Sequence, residues 1–320
     1  MLALMTDNEI FQSLHAQLTT AKYVVIAVHA DPDMDAIGSA LAMRTYLMDQ
    51  GKVATLWLRG FSARHYDFLA DVASIVTDPE PPHGDTLLVM DCATAYRVEG
   101  WQKTGVPSGY STVINWDHHQ HNDQFGQLNV VDTGMSSMGE YVYWFFKSVG
   151  YALDANQATQ LYAAIVYDTG RFAYSNVTTS TFQASAALVE AGAQPEVVNN
   201  AIYNAKSVSQ IKGLATAMGR LTIERRYGYV YTYLLPDEPP VSQDSLELMR
   251  SLKTAKVLVL FRGKECGVKV SFRSKTDFDV ATFAQQFGGG GHRRASGAFV
   301  SGSVESVIDT VLQALENALR

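Results

Sequence analysis

The sequence predicts an α/β protein with a mostly parallel sheet in its N-terminal domain and a smaller α/β C-terminal domain. Short apolar runs that indicate strands alternate with helical stretches, a pattern typical of a parallel sheet with helices on both faces. Several of these strands end in carboxylate or imidazole side chains. After residue 218 the pattern changes to paired strands with period-2 alternation, which indicates a second domain.

The N-terminal domain is predicted over residues 1–194. A helix at about residues 8–20 precedes a strand at "YVVIAV", and helical spacing follows at residues 36–49. The further strand candidates are "VATLWL", "TLLVMD", "TVINWD" and "LNVVD". From Ser137 to about Gly192 the spacing becomes helical, and helix ends are expected at Gly150, Gly170 and Gly192.

A helical linker is predicted over residues 195–218, followed by the C-terminal domain at residues 219–320. Its first strands form a hairpin in "GRLTIERRYGYVYTYL" around Tyr227-Gly228. The segments "AKVLVLFR" and "GVKVSFRS" are expected to pair around Gly263. A short helix at residues 279–287, a glycine run, a strand and a helix at residues 303–319 complete the domain.

The composition is that of an ordinary globular protein. The chain has 320 residues, 47% hydrophobic and 18% charged, which is enough for one large or two medium domains. No run of 18 apolar residues is present, so no membrane span is expected, and the N-terminus lacks the basic start of a signal peptide. Two scattered cysteines favour a reducing, cytoplasmic location. A net charge of −7 without an obvious basic face argues against long duplex nucleic acid as a partner.

Carboxylate and imidazole side chains collect at the ends of separate strands and of one helix. The candidates are His29, Asp33, Asp35, Asp91, Asp117, His118, His119 and Asp168. Because functional groups gather at the carboxyl ends of parallel strands, we expect these side chains to meet in one cleft. Ligands of this kind without thiolates suit manganese or magnesium better than iron, zinc or cobalt. So many ligands favour two ions, which are usually spaced roughly 3.5–4 Å apart in hydrolases.

Structural explanations exist for the same residues. An aspartate after a strand is often a helix N-cap, a position that Asp31 or Asp35 could fill. Adjacent histidines are more often exposed than bound to metal. Three strand ends of the same chemistry nevertheless favour metal binding for the set as a whole.

Four motifs in this order resemble those of the DHH phosphoesterase superfamily: "HADPDMDAIGS", "MDCA", "WDHH" and "YDTGRFAYSN". The segment "VKVSFRSKTDFDVATFAQQFGGGGHRRASG" resembles the DHH-associated C-terminal domain of the nuclease branch. The resemblance covers essentially the whole chain, and the layout is most similar to NrnA-type oligoribonucleases. One departure is Met34, where the family commonly has glycine. Methionine indicates a less demanding turn there and leaves both neighbouring carboxylates in place.

The resemblance implies a role for each candidate side chain. By motif position, one metal ion would be held by His29, Asp33 and Asp91, and a second by Asp35, Asp91, His118 and Asp168. Asp91 would bridge the two ions, and Mn²⁺ is the favoured metal, with Mg²⁺ and Co²⁺ as alternatives. His119 would lie close to the scissile phosphate or the bridging water, and Asp117 would orient the histidines. Asp117 and His119 are the expected catalytic residues.

A second set of residues suits the binding of a phosphate. The predicted substrate-binding residues are Arg97, Ser271, Arg273, Gly289, Gly290, Gly291, His292 and Arg293. Glycines let backbone N–H groups approach an anion, and arginine binds phosphate with two parallel hydrogen bonds. The resemblance implies that the glycine-rich loop holds the terminal nucleotide of the substrate. A flexible loop is the alternative for the glycines, a surface arginine for Arg97, and a purely structural role for Ser271.

These features predict a metal-dependent phosphodiesterase that degrades oligoribonucleotides a few nucleotides long to mononucleotides. Removal of the 3′-phosphate from adenosine 3′,5′-bisphosphate is a related expectation. The expected partners are short RNA or small nucleotides and not a membrane, and a homodimer is left open. The nearest alternative is a phosphodiesterase of cyclic or linear di-adenylate in nucleotide signalling, since its catalytic motifs would be the same. An inactive nucleotide-binding regulator is the alternative from another class.

The sequence also weighs against two other enzymes. The glycine-rich segment "FGGGGHRRASG" argues against a manganese pyrophosphatase, which uses similar metal motifs. A long-strand exonuclease would be expected to carry an extra binding module or a basic groove.

Overall fold

The computed structural model describes residues 7–63, 66–78, 80–98, 109–241 and 244–320. Its contacts divide the chain into two compact units, Met1–Ala205 and Lys206–Arg320, and each has its own sheet and core. The predicted domain borders at residues 194 and 219 stay a prediction. Among the described helices, none combines the length and the apolar composition of a membrane-spanning segment.

A five-stranded parallel sheet organises the first unit, which confirms the predicted α/β class. Its strands are β1 (Tyr23–Ala27), β2 (Val53–Leu56), β3 (Thr86–Met90), β4 (Thr112–Asp117) and β5 (Leu128–Val131). They lie in the order β2-β1-β3-β4-β5, and all four neighbouring pairs are parallel. The carboxyl ends of β1, β3 and β4 therefore lie side by side at one edge.

The described helices of the first unit pack against one face of this sheet, although the sequence predicted helices on both faces. They are α1 (Asp7–Thr20), α2 (Met34–Asp49), α3 (Met138–Ser148), α4 (Ala155–Asp168), α5 (Thr179–Glu190) and α6 (Pro195–Tyr203). Alternate strand residues such as Ile26 and Trp116 are buried against them, because neighbouring side chains of a strand point to opposite faces. On the other face, the described residues that cover Val25 and Val89 come from loops and short turns.

Local sequence explains where these helices begin and end. Ser137 caps α3, while Asp154 and Thr178 form capping boxes at α4 and α5. The predicted helix ends are confirmed, because Gly150, Gly170 and Gly192 have φ angles of 68°, 55° and 103° after α3, α4 and α5. These positive angles suit glycine, which has no Cβ.

Close packing brings α2 against α4. At Gly38 of α2 a Cβ atom would overlap the backbone carbonyl oxygen of Gln160. This approach places the first turn of α2, with Asp35, near the last residue of α4, Asp168.

A six-stranded mixed sheet organises the second unit. Its strands are β6 (Thr222–Glu224), β7 (Tyr229–Leu234), β8 (Val257–Lys264), β9 (Gly267–Ser274), β10 (Gly290–His292) and β11 (Ala295–Val300). The order is β10-β11-β9-β8-β7-β6, with only β7 and β8 parallel among the five pairs. Helices α7 (Val208–Gly219) and α8 (Asp244–Arg250) pack on one face, and α9 (Val280–Gln285) and α10 (Val304–Ala318) pack on the other.

Three details of this unit differ from the sequence-based expectation. The β8–β9 turn falls after Lys264 and not at Gly263, which pairs with Val268 inside the ladder and leaves room for Pro236. Helix α8 was not expected, because seven residues give too short a pattern. The predicted linker segment holds α6 in the first unit and α7 in the second.

Candidate active site

Four chain segments bring ligand-type side chains to the carboxyl edge of the first sheet. His29 follows β1, Asp91 follows β3, and β4 ends at Asp117. Asp33 and Asp35 at the start of α2 belong to the same segment as His29, and Asp168, the last residue of α4, comes from the fourth segment. Side-chain atoms able to bind a metal lie within 4.8 Å of one another in three groups: His29–Asp33–Asp91, Asp35–His118–Asp168 and Asp91–His118–His119. We call the first two the first group and the second group.

Asp91 belongs to the first group and also lies close to His118 of the second group. Its Oδ2 is 3.7 Å from His29 Nε2, and its Oδ1 is 3.5 Å from His118 Nε2. The residue is 2% exposed, and among the described groups no donor forms a hydrogen bond with Oδ1. Its backbone adopts a φ of 53°, in the left-handed region that aspartate and asparagine enter more readily than most residues. A carboxylate with one oxygen toward each group can bridge two cations.

The first group is held by local hydrogen bonds. His29 Nδ1 donates to the Ala30 carbonyl at 2.8 Å, which leaves Nε2 for a ligand. Asp33 caps α2, since its Oδ1 accepts from the N–H groups of Asp35 and Ala36. The N-cap expected of Asp31 or Asp35 is therefore filled by Asp33. Met34 lies in the first turn of α2, and its φ angle is not positive. This agrees with the less demanding turn that methionine indicated at a position where the family commonly has glycine.

The second group converges on one imidazole nitrogen. His118 Nε2 lies 3.6 Å from Asp35 Oδ2 and 3.7 Å from Asp168 Oδ2. The opposite nitrogen, Nδ1, lies 3.3 Å from the Met135 carbonyl oxygen. His118 thus presents Nε2 to the two carboxylates.

Asp117 holds the second histidine of the pair. Its Oδ1 accepts from His119 Nδ1 at 2.7 Å, and its Oδ2 accepts from Asn122 Nδ2 at 2.6 Å. Burial raises the pKa of Asp117, but these hydrogen bonds outweigh it and lower the pKa below the usual value. Asp117 therefore stays ionised and orients His119, whereas His118 is oriented by a backbone carbonyl.

Charge in the first group shifts two pKa values in opposite directions. Burial would raise the pKa of Asp91, but close contacts with His118 and His29 hold it well below its usual range. Burial would lower the pKa of His29, but contact with Asp91 and the charge of Asp33 raise it to about 9. In the chain alone, the imidazole thus holds a proton that offsets carboxylate charge.

Like charges dominate in the second group. Burial and the charges of Asp91 and Asp168 raise the pKa of Asp35 well above its usual value. Burial and the charges of Asp33 and Asp91 raise the pKa of Asp168 to about 6, although the nearby His118 opposes this. So many carboxylates in one buried place favour cations, which can replace the protons.

The oxygen and nitrogen donors fit divalent ions. Carboxylates and imidazoles without a thiolate suit metals of the manganese and magnesium type. The buried Asp91 Oδ1, which lacks a hydrogen bond among the described residues, supplies a free ligand atom between the groups.

Arg97 lies beside the first group through its backbone. Its carbonyl accepts a hydrogen bond from the Ala30 N–H at 2.6 Å, and the following Val98 bridges to His29. The short turn Ala95–Arg97 that follows Asp91 is thereby fixed next to β1.

The remaining predicted substrate-binding residues lie in the second unit. Strand pairing puts Ser271 of β9 opposite Gly297 and Arg273 opposite Ala295, with Gly290–His292 on the far side of β11. Arg293 is exposed and donates to the Asp277 carbonyl at 3.3 Å. The side chain of His292 lies outside the described residues.

The glycine run is partly a strand and not wholly a loop. Gly290–His292 pairs with β11, and Cβ atoms at Gly289 and Gly291 would collide with the backbone of that strand. Gly290 has open space around it. Gly289 and Gly291 therefore allow two strands to approach, whereas Gly288 and Gly290 offer uncrowded backbone positions.

Arg262 of β8 is a residue that the sequence-based prediction missed. Its Nη2 donates to Ser271 Oγ at 3.1 Å, and its buried Nε has no partner among the described groups. Burial and the positive charge of Arg273 lower the pKa of Arg262. The sequence signal was a single arginine near the end of an otherwise apolar strand.

Comparison with known proteins shows the family. A model of the DHH family N-terminal domain matches residues 23–167, and a model of the DHHA1 domain matches residues 228–320. The chain is 32% identical over 305 residues to a bifunctional oligoribonuclease and PAP phosphatase NrnA of Thermus thermophilus, covering 92% of this chain and 90% of the relative. This chain belongs to the DHH phosphoesterase family.

One further comparison concerns the sequence, and another concerns the fold. A Bacillus subtilis protein of the same description is 27% identical over 304 residues, covering 92% of this chain and 93% of that protein. The crystal structure of an exopolyphosphatase-related protein from Bacteroides fragilis has a TM-score of 0.90 at 21% identity, covering 100% of this chain and 98% of that one. The latter likeness concerns the fold alone.

The DHH motifs account for the ligand-type residues but not for their supports. Asn122 binds Asp117, Asn176 binds the Asp168 backbone, and Glu140 lies buried at the start of α3. Asn176 is the last residue of the fourth motif, but Asn122 and Glu140 lie outside the four motifs, and Glu140 binds Ser180, which is 40 residues away along the chain. No spacing rule could have identified them.

Proposed function

We propose that this DHH-family chain is a metal-dependent phosphodiesterase that degrades oligoribonucleotides a few nucleotides long to mononucleotides. We also propose that it removes the 3′-phosphate of adenosine 3′,5′-bisphosphate. The observation that carries the proposal is the convergence of the three metal-capable groups on Asp91 and His118. The names of the Thermus and Bacillus relatives, which cover most of this chain, support the choice of substrates.

Two divalent ions would be bound by the side chains at the carboxyl edge of the sheet. The proposed ligands are His29, Asp33 and Asp91 for one ion and Asp35, Asp91, His118 and Asp168 for the other. Mn²⁺ is the proposed metal, with Mg²⁺ and Co²⁺ as alternatives. Bound there, the ions would neutralise phosphate charge and acidify water, which is the usual contribution of a two-metal site.

His119 would act on the substrate directly. Asp117 orients the imidazole of His119 through Nδ1, and His119 would form a hydrogen bond with a phosphate oxygen or with the attacking water. A hydrogen bond to that oxygen stabilises the charge that develops as the phosphoester breaks. Arg97, fixed beside His29, would add a second positive group.

The second unit would bind a phosphate of the substrate. Arg262 and Arg273 place two positive charges near Ser271, and a bound phosphate would relieve their repulsion. Gly290 offers backbone atoms to the same ligand, and the side chains of His292 and Arg293 are further proposed contacts. This site favours substrates with a terminal phosphate.

Product analysis with the metal-loaded protein tests the proposal. A labelled dinucleotide, a pentanucleotide, a 24-mer, cyclic di-adenylate and adenosine 3′,5′-bisphosphate would be offered separately with Mn²⁺. The dinucleotide and the bisphosphate should be hydrolysed fastest, and the Asp91→Asn variant should be inactive on both. Faster hydrolysis of cyclic di-adenylate would establish the signalling alternative. Binding without hydrolysis would establish the regulator.

A further inference from the structure

Residues 135–139, which form the end of the β5–α3 loop and the first two residues of α3, support the second group. The first backbone N–H groups of α3, those of Met138 and Gly139, donate to Asp35 Oδ2 and Oδ1 at 2.8 and 2.9 Å. Asp35 therefore lies at a helix N-terminus, where a negative charge is favoured. Its carboxylate is oriented by backbone that belongs to a different element.

The same segment supports the other two members of the group. The Met135 carbonyl faces His118 Nδ1 at 3.3 Å. The Ser136 carbonyl accepts from Asn176 Nδ2 at 2.8 Å, and the same nitrogen lies 3.2 Å from the Asp168 carbonyl oxygen. One short stretch of backbone thus fixes the positions of all three candidate ligands.

Glu140 fastens this stretch to the core. Its carboxylate is 1% exposed, and its Oε2 accepts from Ser136 N, Ser136 Oγ and Thr181 Oγ1 at 3.2, 2.5 and 2.9 Å. Its Oε1 accepts from Ser180 Oγ at 2.5 Å and Trp144 Nε1 at 3.3 Å. Five donors on one buried carboxylate tie Ser136 to α3 and α5.

The first group depends on other supports. The hydrogen bonds that orient His29 and Asp33 come from Ala30 and from the first turn of α2. Among the described hydrogen bonds, none joins the first group to residues 135–140. A substitution of Glu140 should therefore change the geometry of the second group and not that of the first group.

We propose that Glu140 is a positioning residue that sets the metal affinity of the second group by fixing residues 135–139. The proposal rests on the proposed function, because it assumes that both groups bind divalent ions. It adds a residue that touches neither metal nor substrate.

Glu140→Gln is the informative substitution. Each carboxylate oxygen of Glu140 accepts from a fixed N–H donor, Ser136 N at Oε2 and Trp144 Nε1 at Oε1. The amide of glutamine has one oxygen only, so in either orientation its NH₂ group faces an N–H donor that cannot turn away. One buried donor is left without an acceptor, and the segment must move.

The measurement is a titration of metal-free protein with Mn²⁺. Electron paramagnetic resonance gives the concentration of free Mn²⁺ after each addition. Wild-type protein should bind two ions. Glu140→Gln should weaken one of them by about ten- to hundredfold, the usual effect of changing a residue that orients a ligand. Glu196→Gln, the same substitution on the exposed side of α6, should leave both unchanged.

Double variants assign the weakened ion to a group. In protein that lacks the first group through Asp33→Asn, Glu140→Gln should weaken the remaining ion. In protein that carries Asp35→Asn, Glu140→Gln should have no further effect on the remaining ion.

Equal weakening of both ions, or no weakening in folded protein, would overturn the proposal for Glu140. Wild-type protein that binds no Mn²⁺ would instead overturn the proposed function. If Glu140→Gln does not fold, Ser180→Ala and Trp144→Phe each remove one donor and keep the carboxylate. Each should then weaken the same ion by a smaller factor, and an unchanged titration for both would contradict the inference.

Discussion

The paired arginines of the second unit make a prediction at the scale of a single residue. If Arg262 binds a substrate phosphate together with Arg273, Arg262→Met should raise KM for a 5′-phosphorylated dinucleotide by roughly ten- to hundredfold. This estimate corresponds to a hydrogen bond to a charged group of about 1.5–3 kcal/mol. KM for the same dinucleotide without the 5′-phosphate should change much less.

Lys264→Met provides the matched control for Arg262. Lys264 is an exposed cation of the same strand, so its removal changes net charge equally without touching Ser271. Equal effects of the two substitutions would show that Arg262 acts only through overall charge.

The raised pKa of His29 predicts that metal binding depends on pH. A histidine that binds a metal ion must be neutral, whereas His29 in the chain alone keeps its proton up to a pKa of about 9. Metal binding below that pH must therefore release the proton, and the apparent affinity should rise as the pH increases toward 9. Calorimetric titration at pH 7.5 in buffers of different ionisation enthalpy would measure the released protons. An affinity independent of pH between 6 and 8 would contradict this explanation.

Single residues of the candidate site could be predicted when chemistry and position coincide. Most of these aspartates and histidines stand directly after apolar runs, and this made the proposed ligands visible. Arg262 and Glu140 could not be found in this way, because their surroundings come from strand register and helix packing. The sequence alone does not show which strands pair, in which register, or which helices pack together.

At the scale of elements, the contact between α2 and α4 carries a prediction for stability. Gly38→Ala would place a methyl group against the Gln160 backbone, which cannot rotate away. We expect a loss of roughly 1–3 kcal/mol in the free energy of unfolding, as for overpacked cores, together with weaker Mn²⁺ binding. Chemical denaturation followed by circular dichroism measures the first effect.

Gly219→Ala is the control for this substitution. Gly219 is the last residue of α7, and a Cβ there would meet nothing within 4 Å. Alanine should leave the stability unchanged or raise it by about 0.4–1 kcal/mol. A loss at Gly219 as large as at Gly38 would show that glycine flexibility, and not packing, explains both.

Most strands and helices followed from the sequence pattern, whereas two short elements, α8 and β10, did not. The five strands of the first sheet have apolar runs bounded by turns, and α2 through α5 have caps or glycines at their ends. Helix α8 and strand β10 span seven and three residues, too few for a period to show. Strand β10 exists because two glycines admit the backbone of β11, which is a property of the pair.

At the scale of the whole molecule, the two units have separate hydrophobic cores. A ligand stabilises the unit that binds it, by about 2.7 kcal/mol at a hundredfold excess over Kd. Differential scanning calorimetry should therefore show that Mn²⁺ raises the unfolding temperature of residues 1–205. Adenosine monophosphate in metal-free protein should raise that of residues 206–320. A single transition that both ligands shift equally would contradict independent units.

The backbone of Asp91 has a consequence for the evolution of this site. A residue with φ of 53° is least strained as glycine, asparagine or aspartate, and of these only aspartate carries a charge. In a saturation library at position 91, cellular abundance should stay high for Asn and Gly and fall for Val and Ile. Turnover should survive for Asp alone. The fold would therefore tolerate several residues at position 91, whereas catalysis requires aspartate. Descendants of this enzyme that lose activity by substitution at position 91 would then remain stable proteins.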